Sequence, residues 1–402
     1  MNRLRFMTGG ESHGQALTAI LEGMPAGLPL SEQDINRDLL RRQRGYGRGE
    51  RMQIEKDQVA IKSGIRYGKT LGSPISLLIT NRDWPNWQNK MALEMPEQPV
   101  AKLRMPRPGH ADFAGMVKYR QDDLRNILER SSARETTMRV AVGAIARKLL
   151  GSFGVEVFGH VLQIGSERTL FSGLATLSGP AYHDPAALQS WREAMARVEE
   201  SPVACADEEA ADRMMSVIDQ AKAKGDTLGG VLELVAIRVP VGLGSHVHYD
   251  RKLDAAIAQA LMSINAIKAV SLGAGYENAF GYGSQVHDQL YYQPQTGYYR
   301  SSNNAGGIEG GMSNGEAIIV RAAMKPLPTL VSSLHSVDVE THEARMAHSE
   351  RSDVCAVPAA VVVGEAMLCL VLADALYEKL GGDSLDELQH RFAGLAREPL
   401  DW

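Results

Sequence analysis

Two histidines, two serines and a dense group of arginines are the residues of this chain whose types and spacing suit chemistry. Gly10-Glu11-Ser12-His13-Gly14 sets a hydroxyl and an imidazole side by side in a glycine-rich turn. The turn formally matches GxSxG, the elbow that presents a nucleophilic serine. That elbow normally follows a buried central strand, whereas this one lies close to the first residue. In Arg107-Pro108-Gly109-His110-Ala111-Asp112 a Pro-Gly turn fixes His110 at the end of a loop. Imidazole gives or takes a proton near neutral pH. Arg37, Arg41, Arg42, Arg44, Arg48 and Arg51 face only Asp38 and Glu50, a local charge of +4 in a chain of net charge −5. Their planar forks suit carboxylate and phosphate oxygens. Glycines flank Arg48 in GYGRG and permit close approach to a ligand. A solvated basic face is the alternative reading of such a run.

Further segments suit anions. Arg130-Ser131-Ser132-Ala133-Arg134-Glu135-Thr136 opens a helix, whose amino terminus favours negative charge. Asn303 to Gly315 (NNAGGIEGGMSNG) is a glycine-rich loop of the kind that wraps phosphates with backbone amides, and Lys325-Pro326-Leu327-Pro328-Thr329 is stiffened by two prolines. Arg351-Ser352-Asp353 places a cation and a carboxylate at the entrance of an apolar helix; Asp353 paired simply with Arg351 is the structural alternative. No HExxH, clustered Cys/His or EF-hand spacing supports a metal. His246 and His248 alternate like strand residues. No early GxGxxG follows a strand, which disfavours a Rossmann fold.

The elements that must position these residues are legible in part. Ser31-Glu32-Gln33-Asp34 caps one helix, Ser132 to Glu135 opens another, and Leu253, Ile257, Leu261 and Ile264 mark a third. β-type runs occupy 73–80, 155–164, 231–239 and 316–324. Strands and helices do not alternate as in a doubly wound sheet, so an α+β arrangement of mixed sheets with packed helices is expected. Residues 1–402 read as a single domain, with about 181–226 a peripheral helical elaboration. Val357 to Leu380 is apolar enough to suggest a membrane span, but Glu365 and Asp374 interrupt it, and a buried central helix is expected.

The 44% hydrophobic and 23% charged shares are those of an ordinary globular protein. The acidic balance gives no general reason to bind nucleic acid or an anionic membrane. Cys205, Cys355 and Cys369 lack CxxC spacing and read as reduced core residues of a cytoplasmic protein.

GESHG, RRQRGYGRG, RPGHADF, RSSARET, GGIEGGMSNG, KPLPT and RSDVCAVPAA stand in the order of the chorismate synthase family. The resemblance spans residue 9 to about 365. It implies a sandwich of antiparallel sheets with helices between them, assembled as a homotetramer. The implied reaction is a 1,4-anti elimination of phosphate and a ring proton from 5-enolpyruvylshikimate 3-phosphate, with reduced FMN and no net redox change. That substrate, with two carboxylates and a phosphate, accounts for concentrated arginine in an acidic chain.

Carried over by residue, the resemblance assigns Arg42, Arg48, Arg51, Arg107, Arg134 and Arg351 to substrate anions. His110 becomes the acid for departing phosphate, and His13 the manager of a proton near flavin N1. Asp353 acts with flavin N5 in removing the ring proton, supported by Ser12 and Ser132. FMN is assigned Ser132, Ala133, Arg134, Asn265, Ala266, Gly310, Lys325, Pro326, Leu327, Pro328, Thr329 and Arg351. One departure is Ser271, where many relatives carry glutamate. No room is left for a reductase domain, so reduced flavin, and the NADP chemistry behind it, is expected from an external source. Two rivals remain at this point: a serine hydrolase with Ser12 as nucleophile, and a noncatalytic flavin- or phosphate-binding module.

Overall fold

The computed structural model describes residues 3–49, 55–96, 98, 100–294, 297–350 and 353–395. Arg51, Arg351 and Ser352 lie outside the described residues.

Caps and apolar faces set the elements. Ser31 Oγ accepts from the Asp34 N–H while the Asp34 carboxylate accepts from the Ser31 N–H, and this box opens α1 (Glu32–Gln43). Before it lie β1 (Arg5–Gly9) and β2 (Ala16–Glu22); after it come β3 (Ala60–Ile61) and β4 (Ile75–Thr80). These strands form one antiparallel sheet in the order β1-β2-β4-β3. Leu17, Ala19 and Leu21 of β2 and Ile75, Leu77 and Ile79 of β4 point to the core, a period-2 pattern with one face buried. Full burial of each large aliphatic side chain stabilises by roughly 1.5–3 kcal/mol.

The chain continues through α2 (Asp112–Tyr119), α3 (Arg125–Ser131) and α4 (Thr136–Gly151). It then builds β5 (Glu156–Ile164), β6 (Glu167–Arg168), α5 (Pro185–Glu200), α6 (Glu208–Ala223), β7 (Gly230–Ile237), α7 (Leu253–Met262), β8 (Ile267–Leu272) and β9 (Ile318–Met324). The second antiparallel sheet runs β8-β9-β7-β5-β6. Last come α8 (Val357–Leu380) and α9 (Leu385–Ala393).

α1, α4, α7 and α8 fill the space between the sheets in one continuous core. α8, long and apolar enough to cross a membrane, has 83% of its most apolar stretch buried inside the protein. It is the central helix. It crosses α4 so closely that a Cβ on Gly143 would lie 2.4 Å from Ala366 Cβ. Glu365 interrupts its apolar surface because Arg41 (2.6 and 3.0 Å) and Arg147 (2.6 Å) both donate to it. Asp374 accepts the Leu4 N–H at 2.8 Å.

The 181–226 segment supplies α5 and α6. Trp191, Met195 and Val198 of α5 cover the outer face of the second sheet at Val235, Ile237 and Ile319. α6 does more than cover a surface. Asp219 accepts from the Tyr46 hydroxyl at 2.9 Å, and Ile218 would meet any Cβ on Gly47 at 2.9 Å, so this helix backs the GYGRG loop.

Candidate active site

Ser12 and His13 sit in the connection between β1 and β2, the two strands of a hairpin. A strand-to-helix nucleophile elbow is therefore absent at this motif. Glu129 of α3 holds the turn: it accepts the His13 N–H at 2.8 Å and the ring Nδ1 at 3.0 Å. Arg125, one turn earlier, donates to the same carboxylate at 2.9 Å. Burial would raise Glu129, but the His13 hydrogen bonds and Arg125 hold it below the ordinary carboxylate range. Ser132 Oγ donates to Ser12 Oγ at 3.2 Å, joining the first turn to the start of α4.

His110 is anchored in parallel fashion. Its Nδ1 lies 2.5 Å from Asp112 Oδ1, and Asp112 Oδ2 accepts Arg107 Nε at 2.9 Å and the Arg107 N–H at 3.1 Å. Arg107 Nη1 donates to Thr329 Oγ1 at 2.8 Å, and Nη2 lies 3.2 Å from His110 Nε2. Burial opposes ionisation of Asp112, yet His110 and Arg107 hold its carboxyl far below the usual range. Lys325 reaches the same corner, donating to the Gly109 carbonyl at 3.0 Å. Burial, followed by the Lys268 ammonium, pushes Lys325 below the ordinary lysine range, a penalty that a bound anion would relieve.

The arginine cluster divides. Arg42 and Arg48 face the site; Arg41 turns to Glu365 and Glu199 on the other side of α1. Arg44 is exposed. Arg48 donates to Asp353 Oδ2 at 2.7 Å while the Gly49 N–H donates to Oδ1 at 2.7 Å. Asp353 is thus paired with Arg48. Arg42 is buried among Thr136, the Ala133 carbonyl and Asp57, and its Nη1 has no hydrogen-bond partner among the described residues. Burial pulls Arg42 down to about 10. Arg134 is committed to Asp57 (2.6 Å) and Asn81 (2.8 Å).

These groups line one cavity of about 690 Å³. Ser12, His13, Arg42, Arg48, Arg107, His110, Ser132, Ala133, Arg134, Asn265, Ala266, Lys325, Leu327, Pro328, Thr329 and Asp353 are all in its wall. Apolar side chains (Leu128, Ile264, Met324, Val363) complete it, so the space suits a flat ring system beside a polyanion. Asn265 donates to the Ser131 carbonyl at 3.0 Å, and its buried Oδ1 has no hydrogen-bond partner among the described residues, which leaves an acceptor for a ligand. Ala266 holds φ at 66°, a left-handed conformation a non-glycine residue rarely adopts outside functional turns.

Gly310 is outside this wall in the single chain, and Pro326 contributes no lining atom between Lys325 and Leu327. The glycines of the 303–315 loop serve close packing: a Cβ on Gly306 would meet Gly273 N at 2.2 Å, and one on Gly307 would meet Ala317 O at 2.5 Å. Ser271 pairs with Arg321 across β8 and β9, also away from the wall. Sequence reasoning missed Glu129, Asp112, Trp87, Asp83 and Glu350. Trp87 stacks on His13 with ring centroids 3.7 Å apart, and Glu350 lines the cavity with its carboxyl pulled down to about 2, His348 and Arg125 outweighing burial. Asp112 stood in a motif already singled out; Glu129 directly precedes another.

The family model described as chorismate synthase matches residues 4–377. A relative from Aquifex aeolicus named chorismate synthase is 55% identical over 97% of this chain and 96% of its own length. One of the same name from Pelobacter propionicus is 56% identical over 97% and 98%. A solved structure titled as a crystal structure of chorismate synthase superposes with a TM-score of 0.77 at 46% identity, covering 97% of this chain and 96% of that one.

Proposed function

The chain belongs to the chorismate synthase family, and we propose that the 690 Å³ cavity is where its reaction takes place, with FMN as the flavin. The reaction is the lyase step that closes the shikimate pathway: 5-enolpyruvylshikimate 3-phosphate loses phosphate and a ring proton in a 1,4-anti sense to give chorismate. The observation that carries the assignment is the wall itself, where Arg42, Arg48, Arg107, Lys325 and two anchored histidines share one space with an apolar floor.

Reduced flavin, when bound, supplies electron density to the breaking C–O bond and recovers it afterwards. The chain's own residues do the rest. Arg107, Lys325 and the His110 ring form a cationic corner for the phosphate. With Nδ1 of His110 held against Asp112, Nε2, which lies 3.2 Å from Arg107 Nη2, gives the proton to the leaving group. Asp353 takes the ring proton; Arg48 and the Gly49 N–H fix its two oxygens before substrate arrives. Arg42 offers Nη1 to a substrate carboxylate, and Arg134 acts mainly by holding the amino-terminal turn of α4 against Asp57 and Asn81. The Asn265 acceptor, the Ala266 turn and the segment 325–329 fit a flavin, with Ser132 and Ala133 on the adjoining wall. His13 holds or returns a proton on the flavin side. Arg51 and Arg351 keep their proposed anion-binding roles on sequence grounds alone.

Supply of reduced flavin by a separate NADP-linked protein, a cytoplasmic location and a homotetramer complete the reading. The exposed Tyr276, Phe280, Tyr282 and Tyr292 of the single chain support the last. A serine hydrolase is disfavoured by the placement of Ser12 on a hairpin, bonded to Ser132. Titration of FMN and riboflavin, each with and without substrate, tests the cofactor assignment. Expected are at least tenfold tighter binding of FMN and a further gain with substrate, since each ligand completes the other's site. Equal affinities under all four conditions would refute it.

A further inference from the structure

His13 is held at both its ring edge and its ring face by residues outside the GESHG motif. Glu129, whose side chain is 1% exposed, takes both the backbone N–H and the ring Nδ1 of His13. The imidazole face lies against the indole of Trp87 at 3.7 Å and 26°. The indole is itself tethered, for Trp87 Nε1 donates to Asp83 Oδ2 at 2.9 Å. Two cations sit at cation–π distance from the same ring, Lys90 at 4.9 Å and Arg125 at 5.1 Å. Trp87, Asp83 and Glu350 also line the cavity.

We propose that Glu129 and Trp87 are positioning residues for His13: Glu129 fixes the proton on Nδ1 and leaves Nε2 as the working nitrogen, while Trp87 clamps the ring face. This rests on the reading of His13 as the flavin-side proton carrier. A carboxylate behind an imidazole sets which nitrogen carries the proton, and the wrong tautomer is costly to catalysis. A hydrogen bond alone leaves the ring free to swing about the Nδ1 axis. A stacked indole pinned by Asp83 removes that freedom. The charged groups facing the ring and its clamp are Glu129 and Arg125 from α3, Asp83 and Lys90 from the segment after β4, and Glu350 from the segment before α8.

The test uses the full-length enzyme with reduced FMN under anaerobic conditions. Trp87→Ala should lower kcat about tenfold with KM within about threefold, and Trp87→Phe, which keeps a stacking ring, should restore most of it. Glu129→Gln should lower kcat about 10²-fold, between the effects of a lost orienting partner and a wrong tautomer. The second readout is Trp87 emission, taken as the difference between wild type and Trp87→Phe. A protonated imidazole quenches a stacked indole, so this difference should show a step with pH. The step should vanish in His13→Ala and be displaced in Glu129→Gln. Glu129 and Glu350 are held as carboxylates well below neutral pH, and a step that persisted in His13→Ala would belong to another group and count against the clamp. Wild-type kcat in Trp87→Ala together with no His13-dependent step would overturn the positioning role, even if Glu129→Gln failed to fold. Wild-type turnover in His13→Ala would instead overturn the proton-carrier reading beneath it.

Discussion

Asp112→Asn tests whether the His110 corner is built for proton transfer. Oδ2 of Asp112 accepts the Arg107 N–H and Nε, while Oδ1 accepts Arg107 Nη2 at 3.1 Å and His110 Nδ1 at 2.5 Å. An amide can satisfy only one of these pairs. Whichever way it turns, an NH2 group faces two donors. With the oxygen kept on the Nε side, His110 must move its proton to Nε2, and Arg107 Nη2 loses its acceptor. Two charge-assisted bonds at about 1.5–3 kcal/mol each set an upper bound near 6 kcal/mol. The expected fall in kcat/KM is therefore about 10²- to 10⁴-fold, in line with the general worth of a positioned acid. The assay is phosphate release under anaerobic conditions with saturating reduced FMN, beside a circular dichroism melt. Stability carries its own signature. The folded carboxyl lies below its unfolded value, so its contribution is present above pH about 4 and lost as pH falls through the folded pKa. The stability gap between wild type and variant should accordingly narrow in acid. A folded Asp112→Asn enzyme within threefold of wild-type kcat/KM would refute the reasoning.

Arg48→Ala should cut kcat/KM by about 10- to 150-fold, because it removes an anion contact and the guanidinium that holds Asp353 Oδ2; near-normal kinetics would return Arg48 to a structural role. Glu365→Ala should destabilise the fold by about 1.5–3 kcal/mol in denaturant melts, since it removes the buried carboxylate that Arg41 and Arg147 share and leaves them Asp38 and, for Arg41, Glu199. Burial pushes Cys355 up to about 11 and Cys369 up to about 12, and Cys205 is raised as well; mass spectrometry after iodoacetamide at pH 8 should find all three unlabelled in the native protein and labelled in urea.

Where local chemistry decides, the sequence was readable. The Ser31 box and the four principal apolar strands fall within two residues of their expected places, whereas Arg130 and Ser131 end α3, Ser132 caps a 3-10 turn at Ala133–Glu135 and α4 itself begins only at Thr136. β1 does not announce itself, because Arg5 to Gly9 carries too little alternation to mark a strand that gains its order by pairing with β2. The candidate site was legible as residue types, less so as partnerships. Adjacent Arg41 and Arg42 leave α1 on different sides, and Asp353 meets Arg48, 305 positions away in the chain. The glycines at 306 and 307 answer to backbone packing, which composition cannot distinguish from phosphate binding. Glu129 and Trp87 gain meaning only once α3 and the segment after β4 converge on the first turn.

Anaerobic single turnover on His110→Ala and Asp353→Asn beside wild type tests the assignment of the cavity most directly. Wild type should release one phosphate per site and leave the flavin reduced. Both variants should still bind FMN and substrate but lose about 10²- to 10⁴-fold in the chemical step, with a larger deuterium isotope effect at the ring carbon for Asp353→Asn. Wild-type rates in both variants would contradict the placement of the reaction in this cavity.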